Sequence, residues 1–81
     1  MRVHVLYFAV LRERIGLDHE ELDLASGADV QAARASIAAR HPEIAAHLPR
    51  IATAVNRAMA SETVLLSDGD EIALIPPVAG G

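Results

Sequence analysis

The stretch "SGADVQAARASIAARHP", Ser26 to Pro42, is the clearest helix in this chain, and a lone main helix leaves few ways to close a core. Asp29 or Ser26 is placed to cap its start. Val30, Ala33 or Arg34, Ile37 and His41 recur at the helical period, and Pro42 ends it. Its alanine-rich face is narrow enough to lie close on a sheet. With 81 residues there is surface for one core only, so the helix and the remaining segments must share it.

Those segments read mostly as strands. "VHVLYFAV" is rich in β-branched and aromatic residues, with Val3, Val5 and Tyr7 on one face and His4, Leu6 and Phe8 on the other. "AVLRERIG" predicts one or two helical turns closed by Gly16, with Arg12, Glu13 and Arg14 on a solvated face. "HEELDL" alternates Leu22 and Leu24 with acids and predicts an exposed strand. "PEIAAHLP" predicts one short helix between Pro42 and Pro49. "IATAVN" predicts a strand ending in a tight Asn56-Arg57 turn, and "AMASETVLL" short extended or turn pieces. Asp68-Gly69 predicts a turn ahead of a last strand, Glu71 to Ile75, with Asp68 and Asp70 serving that turn rather than acid–base chemistry. The resulting class is α+β: a mixed sheet with one main helix on one face, order β-β-α-β-β-β.

Composition narrows the chemistry. Tyr7 and Phe8 are the only aromatics, so Val, Ile, Leu and Ala must build the core. A formal charge of -4 argues against a nucleic-acid partner, which calls for a basic stripe. All seven basic residues are arginine, so no side chain can accept an isopeptide bond. The lack of cysteine excludes disulfides, iron–sulfur clusters, Cys-based zinc sites and a thiol nucleophile. His41 and His47 are poorly spaced for a metal on one helical face, and no metal site is expected. His4 and His19 have no carboxylate partner evident from sequence and are expected to be solvated. No apolar run is long enough to span a bilayer and no signal peptide is evident, so a soluble cytoplasmic protein is expected, without a membrane partner.

The ending "IPPVAGG" is the unusual feature. Pro76 and Pro77 cannot continue a sheet, which sets a boundary between a 1–75 domain and a 76–81 tail. Paired prolines favour a stiff extended path. Residues 76–81 then reach about 20 Å at roughly 3.3 Å per residue. Val78, Ala79, Gly80 and Gly81 make a thin tip able to pass a narrow channel and present a carboxylate. Adenylation by an ATP-using partner would activate that carboxylate, and a persulfide could then convert it to a thiocarboxylate, which carries one sulfur atom without any cysteine.

"LYFAVLRERIG", "AVNRAMASETVLLSDGDEIALIPPVAGG" and the total length resemble the small subunit of molybdopterin synthase, a family of ubiquitin-like sulfur carriers. The likeness covers nearly the whole chain and is weakest from Asp18 to Arg50. It implies a ubiquitin-like β-grasp fold with a flexible C-terminal Gly-Gly tail, in which the first and last strands are parallel neighbours. It also implies a cycle. Gly81 is adenylated by an E1-like activating enzyme with ATP and Mg, a sulfurtransferase supplies sulfur indirectly, and the arm Pro76, Pro77, Val78, Ala79, Gly80 enters the active site of the large catalytic subunit. The thiocarboxylate then donates sulfur to cyclic pyranopterin monophosphate to form the molybdopterin dithiolene. The chain itself is a sulfur-donating, non-catalytic subunit that binds no cofactor, in a complex of two large and two small chains. Phe8, Met59 and Ile75 are the expected partner interface: if the helix covers Val3, Val5, Tyr7, Ile72 and Leu74, Phe8 and Ile75 stay at the surface beside the tail root. The same ending fits a carrier for thiazole or cysteine synthesis, a ubiquitin-like protein modifier, or an interaction module with an inert tail.

Overall fold

The computed structural model describes residues 1–77. The chain runs β1 (Arg2–Tyr7), α1 (Ala9–Ile15), β2 (His19–Asp23), α2 (Val30–Arg40), two 3-10 turns (Pro42–Ile44 and Leu48–Arg50), β3 (Ala52–Val55), β4 (Ala58–Ala60) and β5 (Glu71–Ile75). The five strands form one mixed sheet in the order β2-β1-β5-β3-β4. β1 and β5 are parallel, with Val5 opposite Ile72 and Tyr7 opposite Leu74; the other pairings are antiparallel. This is the β-grasp arrangement that the resemblance implies.

Strand alternation decides which side of the sheet is buried. Val3, Val5 and Tyr7 of β1, Leu22 of β2 and Ile72 and Leu74 of β5 are fully enclosed, packed with Val30, Ala33 and Ile37 of α2, Leu11 of α1 and Ile44. Ala33 at the centre of the helix face has no side chain beyond Cβ, which lets α2 approach the sheet. "HEELDL" does form an edge strand, but its Leu22 is a core residue.

Helix ends follow the local chemistry. Asp29 caps α2, its carboxylate accepting the Ala32 N–H at 2.9 Å. The loop after β4 completes that cap: the Val30 and Gln31 N–H groups donate to the carbonyls of Val64 and Glu62. Gly16 closes α1 at φ 84, donating to the Arg12 carbonyl. In place of one short helix, "PEIAAHLP" forms parts of two 3-10 turns; Pro42 is tolerated in a first turn, but Pro49 has no N–H with which to carry a continuous helix onward. Arg34 holds the second turn. Its guanidinium donates to the carbonyls of Leu48 and Ile51 (2.9 Å to the latter) and to the Thr53 hydroxyl at 2.8 Å. Asn56 and Arg57 make the hairpin turn at φ 50 and 70. Asp70 accepts from the Ser67 N–H and the Asn56 amide, which hold its carboxyl below the usual range.

Candidate functional site

β1 and β5 end side by side, and this strand end carries the root of the arm. After Tyr7 the chain stays extended for one more residue, Phe8 at φ -124 and ψ 155, before turning into α1. Phe8 therefore keeps the strand alternation and projects from the sheet face opposite the helices. Its carbonyl starts α1 by accepting the Leu11 N–H at 3.1 Å. Ile75, next to Leu74, projects the same way. Phe8 is 43% exposed and Ile75 38% exposed, so two large apolar side chains flank the place where β5 gives way to Pro76.

Met59, 67% exposed, is on the same face but further off. It lies two strands from β5 and two residues short of Ile75 in register, about 12 Å away at a ~4.8 Å strand spacing and ~3.4 Å rise. The register joins it to the others through residues that carried no signal in the sequence. Leu6, Ala73, Ala54 and Met59 are direct cross-strand neighbours in one row. The two alanines carry no side chain beyond Cβ and so keep the row low between Leu6 and Met59, on the face that also bears Phe8 and Ile75.

The rest of that face is charged. Arg2 Nε lies 2.8 Å from Asp23 Oδ1 and Arg2 Nη1 3.2 Å from Glu21 Oε2. His4 and His19, expected to lack carboxylate partners, both have one: Nδ1 of His4 is 3.7 Å from Glu21, and Nδ1 of His19 is 2.7 Å from Asp18. The antiparallel register of β1 and β2 places His4 opposite Glu21, a pairing that sequence distance conceals.

Under the sheet sits a polar cluster that also joins distant segments. Glu20 Oε2 accepts from the Tyr7 hydroxyl at 2.5 Å and meets His41 Nε2, while Oε1 accepts from Arg40 at 2.9 Å. Burial opposes the charged form of Glu20. The three hydrogen bonds outweigh it and hold its carboxyl below the ordinary range. Burial, reinforced by the Glu20 charge, pushes the Tyr7 phenol well above its usual value. The cluster fastens the C-terminal end of α2 to β1 and β2, and it lies on the face of the sheet opposite the Leu6–Met59 row.

On the helix side of the arm's root, Val10, His47, Arg50, Ile51, Pro76 and Pro77 line a cleft of about 160 Å³. Val78, Ala79, Gly80 and Gly81, the remainder of the expected arm and its reactive end, lie outside the described residues. Among the described residues no group of three or more His, Asp or Glu is placed to hold a metal ion, and no helix is long and apolar enough to cross a membrane.

The family model described as the ThiS family matches residues 5–81. A relative from Chlamydomonas reinhardtii named molybdopterin synthase sulfur carrier subunit is 36% identical, with all of each chain covered. Among solved structures, small archaeal modifier protein 1 (SAMP1) from Haloferax volcanii superposes with a TM-score of 0.93 at 27% identity over all of both chains. One chain of the complex of subunits 1 and 2 of molybdopterin-converting factor from Helicobacter pylori matches over all of both chains at 29% identity and a TM-score of 0.73. With 77 of its 81 residues inside the family model and a full-length relative above 30% identity, this chain belongs to the ThiS family.

Proposed function

We propose that this chain is the sulfur-carrier subunit of a molybdopterin synthase. The observation that carries the reading is the pairing of β1 with β5, which sets exposed Phe8 and Ile75 on one side of the root of a Gly-Gly arm in a chain whose full-length relatives bear that name. In the proposed cycle an E1-like enzyme uses ATP and Mg to adenylate the Gly81 carboxylate, releasing pyrophosphate. A persulfide sulfur displaces AMP, and thiol reduction of the resulting acyl disulfide leaves the thiocarboxylate. The large catalytic subunit covers the Phe8, Ile75 and Met59 face and takes the arm. There the thiocarboxylate sulfur forms a C–S bond to a side-chain carbon of cyclic pyranopterin monophosphate as a C–O bond of that carbon breaks, its oxygen leaving with the opening cyclic phosphate or as water. Hydrolysis of the thioester returns Gly81 as a carboxylate with its sulfur left on the pterin, and a second donation completes the dithiolene.

This chain's own part is presentation. The sheet ends at Ile75 because Pro76 has no N–H to donate, and the paired prolines direct the arm away from the strand. Residues 1–75 act as the handle and 76–81 as the delivered part. The test is intact-mass analysis of protein from its own cells, where a fraction heavier by the difference between sulfur and oxygen is expected. Deleting Gly81 should abolish dithiolene formation and leave the circular dichroism spectrum and melting temperature unchanged. A chain that stays unmodified with its activating enzyme and a sulfur source present would sink the reading.

A second reading is favoured by the 0.93 TM-score with SAMP1: attachment through Gly81 to lysines of other proteins. Gly81-linked isopeptides in digests of cell extracts would support it. With no lysine of its own, the chain would be added singly and would not extend into side-chain-linked polymers.

A further inference from the structure

The root of the arm is a ridge with chemically different sides. Ile75 and Phe8 make the sheet side apolar. On the other side Pro76, turned toward the helix layer by strand alternation, forms an apolar floor with Val10, Ile51 and Pro77, and His47 and Arg50 border it. We propose that this second cleft is a docking site for a short segment of the large catalytic subunit, one presenting an acidic side chain beside an apolar one. The inference rests on the carrier reading given above and adds a second contact to it.

Three features of the cleft fit that occupant. At about 160 Å³ it matches the size of a cavity that takes a benzene ring, which is room for one side chain. The Arg50 side chain, like those of Arg12, Arg14 and Arg57, makes no hydrogen bond or ion pair among the described residues, whereas Arg2, Arg34 and Arg40 are each engaged by acids or carbonyls. Of the four only Arg50 borders the cleft. Its guanidinium is thus available for a two-pronged contact with a carboxylate. The backbone carrying it is already fixed. Arg50 N–H donates to His47 O at 3.0 Å, Ile51 N–H to Leu48 O at 2.9 Å, and Arg34 clamps the Leu48 and Ile51 carbonyls from beneath. Docking there costs little ordering, because prolines and a clamped turn supply most of the lining. An apolar floor favours a peptide segment over a free anion.

Continuity supplies the identity of the partner. Any subunit that takes the arm into a channel must close over this end of the molecule, and it then meets the cleft on one side of the ridge as it meets Phe8 on the other.

The experiment measures binding of the full-length chain to the large subunit from the same organism by calorimetry. Wild type is compared with Arg50→Glu, Arg50→Ala and, as the opposite-side reference, Phe8→Ala. Arg50→Ala is expected to weaken binding roughly tenfold and to flatten its salt dependence, and Arg50→Glu to weaken it further. Melting temperatures of the Arg50 variants should match wild type, since the side chain is exposed. If Phe8→Ala weakens binding and both Arg50 variants stay within twofold of wild type, the cleft assignment falls and the carrier reading stands. Tighter binding by the Arg50 variants would instead assign the cleft to the chain's own carboxylate end and overturn the proposal. A wild-type chain that does not bind the large subunit at all overturns both.

Discussion

Replacing Glu20 with glutamine is expected to destabilise the fold by about 2 kcal/mol at neutral pH. Its carboxylate accepts from Tyr7, Arg40 and His41; it and His41 have side chains only 14% exposed, so solvent screens the Tyr7 and His41 contacts little, whereas the Arg40 side chain is 47% exposed. Removing the carboxylate charge weakens the Tyr7 and His41 contacts by ~1 kcal/mol each and the half-exposed Arg40 contact, still charge-assisted from the guanidinium, by less, and the released desolvation of Glu20 returns part of the total. For a domain of this size the loss corresponds to a fall in melting temperature of roughly 8 to 16 °C. The effect has a pH signature. The folded-state pKa of Glu20 lies below its ordinary 4.5, so falling pH protonates the unfolded chain first. Glu20's contribution is therefore complete above pH 4.5 and disappears as the pH drops through the depressed folded value. The Gln variant has no such titration. Urea unfolding of both proteins, followed by circular dichroism between pH 7 and pH 3, should show a gap that narrows as the pH falls below about 4.5. A gap under about 0.5 kcal/mol at pH 7, or one as wide at pH 3 as at pH 7, would refute the assignment of Glu20 as the hub of that cluster.

Arg57→Gly should raise stability by about 0.5 kcal/mol, because the ~1–2 kcal/mol cost of a left-handed non-glycine residue exceeds the extra unfolded-state entropy of glycine. A lower melting temperature for that variant would count against the turn geometry. Phe8→Ala should leave the fold within about 1 kcal/mol of wild type, since the ring is outside the core, yet weaken binding to the large subunit tenfold or more. Unchanged affinity would remove Phe8 from the interface.

How much of this was legible beforehand varied with the range of the interaction. Local chemistry read well: a cap at Asp29 or Ser26, which the structure resolves to Asp29, Gly16 as terminator, Asn56-Arg57 and Asp68-Gly69 as turns, and the inward set Val3, Val5, Tyr7, Ile72 and Leu74. Each rests on a few neighbouring residues. What stayed hidden depends on register. Ala54 and Ala73 look unremarkable until four strands align Leu6 with Met59, and Glu20 looks like one acid of an edge strand until α2 delivers Arg40 and His41 to it. The cleft draws its lining from α1, a 3-10 turn and the segment after β5, so no single stretch announces it. The parallel pairing of the end strands came from family likeness rather than from periodicity, which is silent on strand order.

That pairing has a consequence for how the protein is made. β5 is the central strand, hydrogen-bonded to β1 on one side and β3 on the other, yet it is the last of the five to leave the ribosome. Folding must wait for it, as it does wherever the closing contacts span the whole chain. A translation product cut short before Glu71 lacks the middle of its sheet and exposes one unpaired edge each of β1 and β3 to proteolysis. Such a fragment cannot persist as a folded decoy that occupies the partner with no arm to deliver. Completing the handle requires that synthesis has already come within a few codons of the glycines.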